Sequence, residues 1–124
     1  MRLLLDTHAF LWRMEGSRAL RSAARSAIAD PENEVVFGIA SLWELTIKSA
    51  LGKLRFPADP EAILDSEGFG VLPITLAHLR ELAALPLLHR DPFDRMLIAQ
   101  SRVDGLAIIT ADRAFSLYGP AIIW

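Results

Sequence analysis

The sequence predicts a three-layer α/β/α domain on a parallel, doubly wound sheet of about five strands. Three observations lead there. The strand segments are short, near-continuous apolar runs without polar alternation, as expected for strands buried on both faces. Helical segments alternate with them along the chain. No two of the runs are joined by a hairpin turn.

Arg2–Asp6 is the first such run, followed by a helix over His8–Met14. Ser17 suits the N-cap of a second helix, Ala19–Asp30, rich in Ala, Leu and Arg. Asp30-Pro31-Glu32-Asn33 is a turn, and Glu34–Phe37 is the second strand. Ile39–Leu51 is helical and ends at Gly52, a good residue to follow a helix. Leu54–Pro60 is a loop. Asp59 and Pro60 then supply an N-cap and first helical position for a helix to about Ser66. Gly70–Pro73 is the third strand, and Thr75 caps a helix over Leu76–Ala84. After a connection over Leu85–Arg90, Asp91-Pro92 opens the strongest helix, which runs to about Val103 and stops at Gly105. Leu106–Thr110 is the fourth strand, Asp112–Leu117 a short helix and Ala121–Trp124 a last short strand. No linker, low-complexity tract or internal repeat divides residues 1–124, so one domain is expected.

Composition narrows the function. Apolar residues make up 52%, enough for a sizeable core and too many for disorder. There is no cysteine, hence no disulfide frame and no thiolate metal site. The first apolar run meets Asp6 after three leucines, too early for a signal peptide. The apolar stretch Val35–Trp43 is about half of the ~20 residues a membrane span needs. A protein of the cytoplasm is expected. The net charge of −2, from 13 basic and 15 acidic residues, gives no overall support for nucleic-acid binding.

Four carboxylates stand out. Asp6 follows Leu3-Leu4-Leu5, Glu44 lies in Ser41-Leu42-Trp43-Glu44, Asp94 in Asp91-Pro92-Phe93-Asp94, and Asp112 follows Ile108-Ile109-Thr110. Acids beside a core are costly to desolvate. In open parallel sheets, sites form beyond the carboxyl ends of strands, where strand order switches, and Asp6 and Asp112 each sit just past such an end. Acids converging there would repel one another, and a hard divalent cation, Mg²⁺ or Mn²⁺, is the usual remedy. Each acid also has a plainer reading. Asp6 and Asp112 can cap the helices that follow them. Glu44 can pair with Lys48 at i,i+4 on a surface stripe with Ser41. Asp91 suits an N-cap, and Asp94 the third helical position of the same helix. The apolar residues flanking the Ser41–Glu44–Lys48 stripe favour a lined cavity for Glu44. We assign Asp91 to capping and Asp94 to the metal. His89 and Arg90 lie close enough to touch phosphate, or belong to a solvated loop.

Taken together, Leu4-Leu5-Asp6-Thr7-His8, Ser41-Leu42-Trp43-Glu44-Leu45, the stretch from His89 to Gln100 (His-Arg-Asp-Pro-Phe-Asp-Arg-Met-Leu-Ile-Ala-Gln) and Ile109-Thr110-Ala111-Asp112 resemble the four motifs of PIN-domain ribonucleases. The likeness is strongest to the VapC toxins of bacterial toxin–antitoxin pairs, and it spans nearly the whole chain in order. It implies a PIN-like fold and Mg²⁺- or Mn²⁺-dependent cleavage of RNA to 5′-phosphate and 3′-hydroxyl products. It also implies neutralisation by a small VapB-like antitoxin, and homodimers or larger assemblies. Asp6, Glu44, Asp94 and Asp112 would be the catalytic acids and metal ligands. Thr7, Ser41 and Thr110 would orient them, and Lys48, Arg95 and Arg113 would meet the RNA backbone. An apolar surface around Phe10, Leu11, Trp12, Met14, Leu51, Leu54 and Phe56 would receive the partners.

Two rivals remain. A receiver-type phosphoacceptor domain is also doubly wound. It needs a pair of acids after the first strand and an acceptor Asp after the third, whereas this chain has one acid after the first and Ile74-Thr75 after Val71-Leu72-Pro73. A catalytically inactive PIN-like binding module is the other. Intact acids argue against it, and a nuclease assay with and without metal separates the two.

Overall fold

A computed structural model describes residues 1–57 and 59–124; the Ala58 position of the expected 54–60 loop lies outside the described residues. Five parallel strands form one sheet in the order β3-β2-β1-β4-β5. They are β1 (Arg2–Leu5), β2 (Glu34–Gly38), β3 (Gly70–Leu72), β4 (Ala107–Ile109) and β5 (Ile122–Ile123). Between them run α1 (Thr7–Glu15), α2 (Ser22–Ala29), α3 (Ile39–Ala50), α4 (Pro60–Glu67), α5 (Leu76–Ala84), α6 (Pro92–Asp104) and a 3-10 helix over Arg113–Tyr118.

The absence of alternation in the strands has its physical reason here. Leu3 and Leu5 face one layer of helices and Leu4 the other, and all three are fully buried. On the first face, Leu3, Leu5, Phe37 and Ile109 pack with Phe10 of α1, Ile28 of α2, Leu45 of α3 and Leu64 of α4. The Phe10 and Phe37 rings stack at 4.2 Å. On the second, Leu4, Val36 and Ile108 pack with Leu97 and Ile98 of α6 and with Phe115 and Tyr118 of the 3-10 helix.

The chain steps from β1 to β2 to β3 in one direction and then crosses to β4 on the other side of β1. β1 pairs with β2 through Leu4↔Val36 and with β4 through Leu4↔Ile108. The β1–β4 boundary is thus the switch point, where a doubly wound sheet leaves a crevice at its carboxyl ends.

Most expected caps are present. Asp59 accepts from Ala62 N–H at the start of α4, and Asp91 accepts from both Phe93 and Asp94 N–H at the start of α6. Thr75 and His78 close a capping box on α5, and the buried His78 Nε2 also meets Asp104 Oδ2 of α6 at 2.7 Å. Gly105 stops α6 at φ +66°, a conformation that favours glycine.

Two expectations change. α2 begins at Ser22, and its N-cap is Arg21, whose side chain caps nothing. Ser17 Oγ instead accepts from Ala19 N–H in the preceding turn, and the Arg25 guanidinium holds the Ser17 and Leu20 carbonyls. The 113–118 segment is 3-10 rather than α-helical. The expected partner surface also changes. Phe10 is core, and Leu11, Trp12, Met14, Leu54 and Phe56 pack partly buried against the core, while Leu51 is exposed. An exposed apolar line runs along α3 instead, through Ile39, Trp43 and Ile47 and on to Leu51 just past its end. Among the described residues, no helix is long and apolar enough to cross a membrane.

Candidate active site

The switch-point crevice is a cleft of about 130 Å³, whose lining includes Asp6, Thr7, Glu44, Lys48, Asp91, Asp94 and Asp112 together with His8 and Phe115. All four acids singled out in the sequence reach it, each from a different element.

Asp6 leaves the carboxyl end of β1 and caps α1. Its Oδ1 accepts from Ala9 N–H at 2.7 Å, and its Oδ2 accepts from the Thr110 hydroxyl at 2.6 Å. Capping and a place in the cleft therefore coexist, because an ionised carboxylate has about four lone-pair sites and the two bonds use only two. Burial pushes the Asp6 carboxyl above its ordinary pKa. The Thr110 and Ala9 hydrogen bonds and His8 draw it back, while Asp112 adds to the rise.

Glu44 is buried. The polar stripe of α3 is turned inward, so that Glu44 Oε1 accepts from the Thr7 hydroxyl at 2.7 Å and Oε2 pairs with Lys48 Nζ at 3.1 Å. Ser41, the third member of the stripe, is fully buried, and its Oγ has no hydrogen-bond partner among the described residues. It meets none of the acids.

Asp94 and Asp91 divide their work. Asp91 caps α6 through two backbone N–H groups. One turn in, Asp94 has its carboxyl pushed up to about 7, first by burial and then by the Asp91 charge. Glu44 and Asp6 push the same way, and His89 opposes them. The edge-on contact of Trp43 with Phe93, centroids 5.4 Å apart, ties the start of α6 to α3 and so sets Asp94 against Glu44.

Asp112 is the most exposed of the four. It caps the 3-10 helix through Ala114 N–H, and its own N–H donates to Thr110 Oγ1 at 3.0 Å. Between Asp112 and Asp94 stands His89. Its Nε2 lies 3.1 Å from Asp94 Oδ2 and 3.5 Å from Asp112 Oδ2, and its Nδ1 accepts from Asp91 N–H. The sequence placed His89 near the acids without giving it a partner. His89, Asp94 and Asp112 each offer one atom within 4.8 Å of the others, a set that can hold a metal ion.

The basic residues divide as well. Lys48 lines the cleft. Arg95 does not: its guanidinium donates to the carbonyls of Leu82, Leu85, Pro86 and His89. It holds the segment between α5 and α6, and this corrects the expectation that it faces RNA. Arg113 is exposed beside Asp112 and opens onto a neighbouring pocket.

Burial and the crowding of the acids disfavour the charged forms of Asp6 and Asp94, and a cation in the cleft would relieve that cost. The donors are hard oxygens with free lone pairs. That set fits a divalent cation of the Mg²⁺ or Mn²⁺ type.

Comparisons with known proteins agree with the fold. The model of the PIN domain matches residues 3–119. No curated protein matches the chain in sequence. Among solved structures, the chain is similar to a toxin–antitoxin complex from Klebsiella pneumoniae (TM-score 0.66, 16% identity, covering 98% of this chain and 96% of that one). It is also similar to VapBC2 from Rickettsia felis bound to a DNA fragment from their promoter (TM-score 0.72, 10% identity, 98% and 97%). A third likeness is to FitAcB from Neisseria gonorrhoeae (TM-score 0.56, 17% identity, 97% and 95%). With a family match over nearly its full length and the four motif acids gathered at the switch point, the chain belongs to the PIN domain family.

Proposed function

We propose that this protein is a divalent-metal-dependent endoribonuclease that acts as a growth-inhibiting toxin and is neutralised by a small cognate antitoxin. The observation that carries the nuclease reading is the convergence of Asp6, Glu44, Asp94 and Asp112 in one cleft of a PIN domain. The toxin reading is supported by the similar structures, two of which are a toxin–antitoxin complex and VapBC2.

In this reading Asp6, Glu44 and Asp94 hold Mg²⁺ or Mn²⁺, and Asp112 completes the set directly or through water. The cation supplies positive charge against a phosphate and makes water a stronger nucleophile. The protein's own groups do the rest. The Thr110 hydroxyl and the Ala9 N–H each hold one oxygen of the Asp6 carboxylate, and Thr7 and Lys48 each hold one of Glu44, so the acids keep their places as charge changes. Lys48 offsets charge on Glu44 and presents an ammonium group to the RNA backbone. An in-line attack on the phosphorus is favoured because these donors are already oriented before substrate arrives.

The work takes place in the cytoplasm, on RNA, with the protein assembled as a homodimer or larger species. The exposed apolar line of α3 is available for such assembly. The test is twofold. Purified protein should cut single-stranded RNA with Mg²⁺ and not with EDTA. Expression alone should arrest growth, and co-expression with the short neighbouring reading frame should restore it. Absence of metal-dependent cleavage refutes the nuclease. Harmless expression with no co-purifying partner refutes the toxin role only.

A further inference from the structure

A second pocket, of about 480 Å³, opens at the carboxyl ends of β4 and β5. It shares the Thr110–Asp112 segment with the acid cleft: Thr110 and Ala111 line the pocket, and Asp112 lines the cleft. Its volume lies within the roughly 300–1,000 Å³ usual for small-molecule sites. Its other walls include Arg21, Arg113, Ser116 and Trp124.

Two features meet in it. First, both arginines are exposed, and among the described residues neither side chain pairs with a carboxylate or a carbonyl. The guanidinium groups of Arg2, Arg13, Arg25, Arg95 and Arg102 are engaged, whereas Arg18, Arg55, Arg80 and Arg90 are exposed and unpaired as well among the described residues but do not line this pocket. Another depression, at the opposite pole of the sheet, has arginines too, but Arg2 is tied to Glu34 and Arg102 to Glu81. Second, Trp124 brings a half-buried indole to the same pocket, steadied by Trp12 at 5.4 Å between ring centroids. Guanidinium groups with an aromatic face are what a nucleotide requires, the first for phosphate and the second for the base. Arg21 owes its place to the late start of α2, which leaves it at the N-cap position with an unused side chain.

We propose that this pocket is a nucleotide subsite: Arg21 and Arg113 hold a backbone phosphate of RNA adjacent to the one under attack, and Trp124 stacks on a base. The proposal rests on the ribonuclease reading above and adds where the strand runs. The strand passes over the Thr110–Asp112 segment toward the β5 edge. It also answers a difficulty of charge. A chain of net charge −2 with an acidic cleft needs local positive charge to hold a polyanion, and here that charge lies beside the acids.

The experiment measures binding apart from cleavage. A fluorescein-labelled single-stranded oligoribonucleotide is titrated with the protein in EDTA at several KCl concentrations, using fluorescence anisotropy. The doubly substituted Arg21→Ala/Arg113→Ala protein should bind at least tenfold more weakly, and its log–log salt slope should fall by about 1.4, from about 0.7 per lost contact. Arg21→Lys/Arg113→Lys should recover the slope. Trp124→Leu should weaken binding with no change in slope, and Trp124→Phe should bind as wild type. In Mg²⁺ the doubly substituted protein should show a raised KM and a smaller fall in kcat. Wild-type affinity and slope in the folded double variant would overturn the subsite. So would intact RNA binding with lost capture of a co-expressed antitoxin, which would assign the arginines to a protein partner. If the wild type binds RNA through these arginines yet never cuts it, the nuclease reading fails and the subsite stands. If the wild type cuts and the double variant is unaffected, the subsite alone fails.

Discussion

The Thr110 hydroxyl donates to Asp6 Oδ2 at 2.6 Å, bridging residues 104 positions apart, and the same oxygen accepts the Asp112 N–H at 3.0 Å. One hydroxyl thus places two of the four acids. Thr110→Val keeps the shape of the side chain and removes both bonds. It should lower kcat for RNA cleavage by about 10–100-fold, the usual cost of losing a group that orients a ligand. Thr110→Ser should recover most of the rate. A wild-type rate in the Val variant, measured well below its melting temperature, would show that the hydroxyl positions nothing of consequence.

Asp91 and Asp94, three residues apart, should separate cleanly. Asp91→Ala removes an N-cap that serves two backbone N–H groups and should cost about 0.5–2 kcal/mol of stability in urea unfolding. Asp94→Ala should abolish cleavage, with unchanged or increased stability in the metal-free protein. If Asp91→Ala is inactive at full stability and Asp94→Ala is active, the roles are reversed.

Arg95→Ala should act on stability. Its guanidinium serves carbonyls of the 82–89 segment, and leaving them unsatisfied costs about 1–3 kcal/mol. The salt slope of RNA binding should not change. A reduced slope with unchanged melting would return Arg95 to the RNA.

The metal-free protein should lose stability as pH rises. Asp94 has its carboxyl raised from 3.8 to about 7 in the folded state, and that of Asp6 is raised as well. Such groups bind protons more tightly folded than unfolded. Their contribution is complete below the unfolded value near 3.8 and, for Asp94, is lost as pH rises through about 7. The melting temperature in EDTA should therefore fall between about pH 4 and 7 and level off above that, and Asp94→Asn should flatten that fall. Mg²⁺ should raise the melting temperature more at the upper end of the range. A flat or rising profile in wild-type protein contradicts this electrostatic picture.

The strands were legible because a strand buried on both faces must be apolar at every position, as Leu3-Leu4-Leu5 and Ile108-Ile109 are. The start of α6 was legible because Asp91-Pro92 carries a local capping signal that needs no distant partner. The start of α2 was not. Ser17 can cap a helix or close a turn, and the choice falls to Arg25, whose guanidinium holds the Ser17 and Leu20 carbonyls. Within the site, the four acids could be named from their settings at element ends. Their linkage could not. The Thr7–Glu44 bond spans 37 positions, and His89 meets Asp112 only after β4 has paired with β1. Arg95 shows the same limit, since nothing local tells whether a guanidinium at the first turn of a helix faces solvent or the preceding loop.

The most direct test of the central claim, that four acids in one cleft form a metal-dependent nuclease site, is the rate of single-stranded RNA cleavage by wild type and Asp6→Asn. Both are assayed with Mg²⁺ and with EDTA, with circular dichroism confirming the fold. Asn keeps the shape of the side chain and its one oxygen can still accept from Ala9 N–H, while its amide nitrogen cannot accept from the Thr110 hydroxyl, so the change removes a charge and one hydrogen bond. Cleavage is expected from wild type with Mg²⁺ only, and none from folded Asp6→Asn under either condition. Cleavage by Asp6→Asn at the wild-type rate, or by wild type at full rate in EDTA, would contradict the claim.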